Sequence, residues 1–228
     1  MANPFADMIR LNTAALNVAT AQMKDFNGDP ELPFETDLEG IYSHKEDADK
    51  LRIYAHGLQE NCFAWEDHIG KVSDDVSHWA VSFDSNRPWE MAKTYGEFVE
   101  QVQEFTGIED YDAVAHSLGG LAVHEYFEDT DNLPENAVLL GSPFDGSRLG
   151  VGFLDSESEY LDRFDSTVED VEVYTVRGSD DPSYRSNPES PLLDGANVID
   201  LEESHHGIRD SEEAVQLVDE ILQRPYQQ

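Results

Sequence analysis

One serine in this sequence has neighbours that would let it act as a nucleophile. In Ala115-His116-Ser117-Leu118-Gly119-Gly120 an apolar run ends, a small residue stands two positions before the serine and a glycine two positions after it. Small residues there let a strand pass into a helix through a turn tight enough to expose the hydroxyl. The first helical amides, beginning with that of Leu118, then point at the serine and can hold a developing oxyanion. A serine of this kind also needs an imidazole to take its proton and a carboxylate to orient that imidazole, in the chain order acid, then histidine. Asp180 and Asp181 follow a predicted strand, and the tandem His205 and His206 lie in a later polar loop. Upstream, His56-Gly57-Leu58 ends another apolar run, and Gly57 would permit a turn that aims the Leu58 amide at the serine. Together these groups are the equipment of acyl transfer through a covalent serine intermediate.

Such groups must be held by regular elements, and the hydrophobic spacing predicts strands and helices in alternation. Strands are expected at Leu38–Ser43, Leu51–Ala55, Trp79–Phe83, Tyr111–Ala115, Ala137–Leu140, Val171–Val176 and Asn197–Leu201. Helices are expected over 64–72, 88–105, 118–127 and 211–222, with Pro88 tolerated in a first turn. The polar residues Glu46 to Asp49 read as a turn, and Gly141 to Glu169 as an irregular stretch. Alternation of this kind predicts an α/β fold, a mostly parallel central sheet with helices on both faces. In such sheets sites form at the carboxyl ends of strands, where the candidates above fall.

The segment around Ser117 resembles the nucleophile elbow of α/β-hydrolase-fold lipases and esterases, in particular small lid-less bacterial lipases with an A-H-S-x-G-G elbow. Ala115 stands where many members carry glycine. His56-Gly57 followed by Trp65 resembles the H-G-x7-W arrangement of the family's oxyanion loop. Gly178-Ser179-Asp180-Asp181-Pro182 resembles its G-x-x-D-P segment, which implies Asp181 as the acid with Asp180 as the rival. The run from Leu193 to Ile208 is similar to the corresponding stretch of the lid-less lipases and implies His205, not His206, as the base. Gly141 to Ser147 looks like a G-[ST]-P-H-x-G-[ST] segment with Phe144 in place of the histidine.

The resemblance spans about Leu38 to Leu222 and implies a serine carboxylic-ester hydrolase for short- to medium-chain acyl esters or lipids. The implied triad is Ser117, Asp181 and His205, with oxyanion amides from Leu58 and Leu118 and support from His56, Gly57 and Gly119. His116 reads as a structural neighbour rather than a base. A thioesterase or a polyester depolymerase would use the same parts, and a hydrolase-fold binding protein would have lost one of them. Residues 38–228 then form the catalytic domain. Residues 1–37 are an N-terminal amphipathic helix, with apolar spacing from Phe5 to Phe26, and a linker. Leu149, Val151, Phe153, Leu154, Tyr160, Leu161 and Phe164 are expected either to form a small cap or acyl-pocket wall or to pack inward.

Composition narrows the partners. The 228 residues carry 14 basic and 49 acidic side chains, a net charge of −35, with 39% hydrophobic residues to build a core. A surface this acidic repels phosphate backbones and anionic lipid, so nucleic acid and anionic membranes are excluded as partners. Cys62, a lone cysteine, makes no intramolecular disulfide and no cysteine–histidine zinc pattern. The His205-His206 pair lacks a third ligand at metal spacing, so no metal or other cofactor is expected. No run has the length of a membrane span, and the N-terminus lacks the basic lead-in of a signal peptide, which predicts cytoplasmic residence.

The carboxylates are spread along the whole chain, a pattern that resembles proteins of extreme halophiles. Their mutual repulsion is relieved as the Debye length falls from about 10 Å at 0.1 M to about 3 Å at 1 M salt. Dialysis from molar KCl into dilute buffer should therefore reduce helical circular dichroism. An unchanged spectrum would contradict this reading.

Overall fold

The computed structural model describes residues 32–72, 76–147, 152–155, 158–161, 164, 170–184 and 187–223. The expected helix from Phe5 to Phe26 lies outside them. Among the described residues seven strands form a single sheet: β1 (Gly40–Ser43), β2 (Leu51–Ala55), β3 (Ser77–Val81), β4 (Tyr111–His116), β5 (Asn136–Leu140), β6 (Glu172–Gly178) and β7 (Asn197–Leu201). Their order across the sheet is β1-β3-β2-β4-β5-β6-β7. Every pairing is parallel except that of β1 with β3. The polar turn before β2 thus closes no hairpin, because β3 lies between β1 and β2.

Side-chain alternation divides the core into two layers. Ile53, Ala55, Trp79, Ala113, Ala115 and Leu139 face helices α2 (Pro88–Thr106) and α3 (Leu118–Glu128). Tyr54, Ala80, Val114, Val138, Leu140 and Val176 face the opposite side, where Trp65, Ile69 and helix α5 (Glu212–Leu222) cover them. Successive residues of a strand point to opposite faces, so a strand covered on both sides is apolar throughout. β2, β4 and β5 are buried at every position. The edge strand β7 is largely exposed, and the pairing of Asp200 with Arg177 places charge along that edge.

Helix boundaries follow local chemistry. Ser211 caps α5 by accepting the Ala214 N–H at 3.1 Å, and Glu212 and Glu213 meet the positive end of its dipole. Pro88 opens α2, and Gly107 ends it at φ 71°, a left-handed position that favours glycine. The expected helix 64–72 instead begins as a 3-10 turn, Cys62–Trp65, runs through a short α1 (Glu66–Ile69) and stops at Gly70. β3 starts two residues before its expected start. Its polar residues are satisfied inside the protein, Ser77 by the Lys45 N–H and His78 by the Tyr54 hydroxyl. A short helix α4 (Gly207–Asp210) precedes α5 and was not expected.

Among the described part of 141–169, Leu154, Leu161 and Phe164 are buried and pack inward over α3, where Phe164 meets the rings of His124 and Phe144. Leu149 and Val151 lie outside the described residues. No described helix is long and apolar enough to cross a membrane.

α2 and α3 approach closely at Gly96, where a Cβ would lie 2.5 and 2.7 Å from carbons of the Tyr126 ring. Gly96→Ala gains up to about 1 kcal/mol of helix propensity but overpacks that contact by about 1–3 kcal/mol. Urea unfolding should show a net loss of stability without change of fold.

Candidate active site

Ser117 occupies the junction between β4 and α3, with no intervening loop. Its backbone is at φ 52° and ψ −124°, a region that non-glycine residues rarely occupy. The turn is held from both sides: the Ser117 N–H donates to Leu140 O at 2.8 Å, and the Gly120 N–H donates to Ser117 O at 3.0 Å. The glycines that follow are required by close approach. A Cβ on Gly119 would lie 2.5 Å from His56 O and 2.6 Å from Ala55 O, so the first turn of α3 presses against the end of β2. A Cβ on Gly120 would collide with the Ser142 hydroxyl.

The structure brings Ser117, His205 and Asp181 together. His205 Nε2 lies 3.0 Å from Ser117 Oγ, and its Nδ1 lies 2.5 Å from Asp181 Oδ2. Asp181 is buried and its Oδ1 accepts the Ser183 N–H at 2.8 Å. Burial pushes its carboxyl up, but the bonds from His205 and Ser183 outweigh burial and hold it below the usual carboxylate range. Asp180, the rival, is exposed and contributes its backbone N–H to Glu203 O instead. His206 is 66% exposed and takes no part in this chain of contacts.

His205 is packed between aromatic rings. Tyr184 meets it edge-on at 5.7 Å, and the Tyr184 hydroxyl donates to Gly141 O, tying the acid-bearing turn to the end of β5. His116 lies 4.8 Å away between ring centroids, and its Nε2 donates to the His205 carbonyl at 2.8 Å. Thus His116 holds backbone and meets neither the serine hydroxyl nor the acid.

His56 has a comparable bracing function. Its Nδ1 donates to Gly57 O at 2.8 Å, its Nε2 accepts the Phe83 N–H at 3.1 Å, and its ring stacks on Phe83 at 4.0 Å. Complete burial lowers its pKa to about 4, so at neutral pH it is the uncharged tautomer these bonds require. The His-Gly pair therefore fastens the loop after β2 to the end of β3. Gly57 lies against Ser117, and a Cβ there would be 3.1 Å from Ser117 Cβ. Gln59, at φ 58°, completes the turn with its N–H bonded to Ser85 Oγ at 2.8 Å. Among the described residues no protein acceptor engages the amides of Leu58 or Leu118.

Three further residues belong to this region and carry no signal in the sequence. Tyr184 is one. Glu60 and Arg209 are the others: they form a buried ion pair, with Glu60 Oε1 2.5 Å from Arg209 Nη1. A cavity of about 570 Å³ adjoins the loop, lined by Gln59, Glu60, Phe83 and Met91 and bordered by Asp84 and Glu90. Among the described residues no group of three or more His, Cys, Asp or Glu side chains could hold a metal ion.

No protein-family model matches the sequence, and no curated protein sequence does. Solved structures match the fold. Carboxylesterase CesB from Bacillus subtilis superposes with a TM-score of 0.60 at 16% identity, over 94% of this chain and 96% of its own. An α/β hydrolase from the metagenome of lagoon sediments at Mar Chica, Morocco, gives 0.60 at 14% identity, over 84% and 97%. The enol-lactonase from Burkholderia xenovorans gives 0.58 at 11% identity, over 82% and 97%. With its mostly parallel sheet, its strand-to-helix serine turn and these structural neighbours, the chain has the α/β-hydrolase fold.

Proposed function

We propose that the protein is a serine carboxylic-ester hydrolase that acts on short- to medium-chain acyl esters through an acyl-enzyme. The observation that carries this reading is the unbroken hydrogen-bonded series Ser117, His205, Asp181, with the serine on a strained elbow. His205 takes the Ser117 proton as Oγ attacks the ester carbonyl, then returns it to the leaving alcohol. Asp181 keeps the Nδ1 proton in place and stabilises the imidazolium. Water repeats the sequence to release the acid. The free amides of Leu58 and Leu118 hold the oxyanion of each tetrahedral intermediate, where one such donor contributes about 2.7–4 kcal/mol.

Support for smaller substrates comes from the inward packing of Leu154, Leu161 and Phe164, which makes the described part of 141–169 core rather than cover. The spread of carboxylates supports a protein that works in molar salt. It also disfavours anionic substrates, because the net charge of −35 repels them before they reach Ser117.

p-Nitrophenyl butyrate hydrolysis tests the reaction class. Wild type should turn over, and Ser117→Ala and His205→Ala should each lose at least about 10⁴-fold in kcat with circular dichroism intact. Asp181→Asn should lose about 10⁴-fold, whereas Asp180→Asn should stay near wild type. A folded wild type that neither hydrolyses esters nor reacts with a fluorophosphonate at Ser117 would overturn the reading in favour of a hydrolase-fold binder. Hydrolysis of thioesters in preference to esters would replace the substrate class. Between a neutral butyrate ester and a hemisuccinate ester of the same alcohol, KM should be higher for the anion. That gap should narrow as salt rises from about 0.1 M to about 1 M, because screening shortens the reach of the surface charge.

A further inference from the structure

One carboxylate has no part in the serine chemistry yet reaches the loop after β2, the end of β4 and the helix that follows His205. Glu60 Oε2 accepts the Gly57 N–H at 2.9 Å, within the loop that follows β2. The same oxygen faces His116 Nδ1 at 3.4 Å, at the end of β4. Its Oε1 takes the Arg209 guanidinium at 2.5 Å, from α4, and has His206 Nδ1 3.6 Å away. His116 closes the ring of contacts by donating Nε2–H to the His205 carbonyl. The Glu60 side chain is 17% exposed and that of Arg209 8%, so these contacts form largely away from water.

Burial lowers the His116 pKa and its Nε2–H is given to the His205 carbonyl, so its Nδ1 carries no proton at neutral pH; the donors Glu60 serves are the Gly57 N–H and the Arg209 guanidinium, and an ionised carboxylate accepts from both. Burial opposes its charge, but the Arg209 guanidinium beside it holds the Glu60 carboxyl below the ordinary carboxylate range. Arg209 is divided in turn between Glu60 and its neighbour Asp210, which accepts from Nε and Nη2. One cation is thus placed between two carboxylates on the helix that begins two residues after His205. If the Glu60 charge is removed, Arg209 retains only the more exposed Asp210 as a counter-charge.

We propose that Glu60 is a positioning residue that locks the oxyanion loop and the histidine loop into one unit. By holding the Gly57 amide it sets the turn that presents Leu58 N–H over Ser117. Through Arg209 and His116 it ties that turn to the backbone of His205. It also supplies negative charge that balances the largely buried Arg209. The groups facing this cluster are Arg209 and Asp210 from α4, His206 from the preceding turn, His116 from β4, His56 from the end of β2, and the His205–Asp181 pair. The kinetic part of the test rests on the ester-hydrolase reading; the spectroscopic part does not.

Glu60→Gln keeps the size and one acceptor but removes the charge. It should lower kcat by about ten- to a hundredfold with KM within about twofold of wild type, the pattern of a lost transition-state interaction. The His116 ring should also titrate at lower pH, because the carboxylate that favours its protonated form is gone. Glu60→Asp keeps the charge but is one methylene too short for the Gly57 amide. It should restore the His116 titration while kcat stays low, a separation that a merely structural role does not produce. Glu97→Gln, an exposed carboxylate on α2, controls for net charge and should change neither.

Should Glu60→Gln fail to fold, Glu60→Asp alone decides: wild-type kcat in that variant overturns the loop-setting role. Proton NMR titration of the imidazole rings reads the same coupling without turnover. The His116 signal should titrate at lower pH in Glu60→Gln than in wild type. A wild type inactive on every ester would sink the reaction class while these titrations still decide the coupling. An unmoved His116 titration together with wild-type kcat in folded Glu60→Gln would overturn the proposal.

Discussion

Ser117 holds backbone angles that a residue with a side chain adopts only when its surroundings over-determine them, at a cost of about 1–3 kcal/mol. Most of what surrounds it supplies that constraint. The amide of Ser117 is bonded to the end of β5, and the first turn of α3 rests against the end of β2 through Gly119. Gly57 lies against the serine as well. The elbow therefore depends on three neighbouring strands ending at one level, which the parallel registers of β2, β4 and β5 provide. Loss of any of these contacts would let the turn relax and withdraw the hydroxyl from His205.

Around that point the polar groups are arranged so that few of them compete with the serine. His56 and His116 spend their ring nitrogens largely on backbone, which makes them braces. Tyr184 fixes the turn carrying Asp181 to the end of β5. Such interactions restrain loops that would otherwise be free to move, at a cost in conformational entropy, and so hold the Ser117, His205 and Asp181 atoms at hydrogen-bond distance.

The few cations are used in a way that suits an acidic chain. Arg52 is buried against Asp219, Lys50 bridges Asp112 and Glu135, and Arg209 joins Glu60 to Asp210. Partly buried pairs are screened much less by salt than exposed ones. The surface carboxylates, by contrast, repel one another unless screened. Internal pairing and external repulsion thus respond differently to ionic strength, which separates the integrity of the site from the solubility of the surface.

The elbow was legible from the amino acids because its requirements are local: a small residue before Ser117, glycines after it, an apolar strand leading in and a helix leading out. The strands of the central sheet were legible for a similar reason, since β2, β4 and β5 are buried on both faces and read as short apolar runs. The true start of β3 was not, because Ser77 and His78 look like turn residues until Lys45 and Tyr54 satisfy them. The sequence by itself determined the kind of fold, the order of the chemical groups and the serine. The family resemblance already pointed to Asp181 and His205; tertiary structure supplied the physical reason, because which of two adjacent residues faces inward there depends on how the loops after β6 and β7 bond to each other. Tertiary structure alone joined Glu60 to Arg209, 149 residues apart, since no local pattern records a contact made only when three strand ends meet.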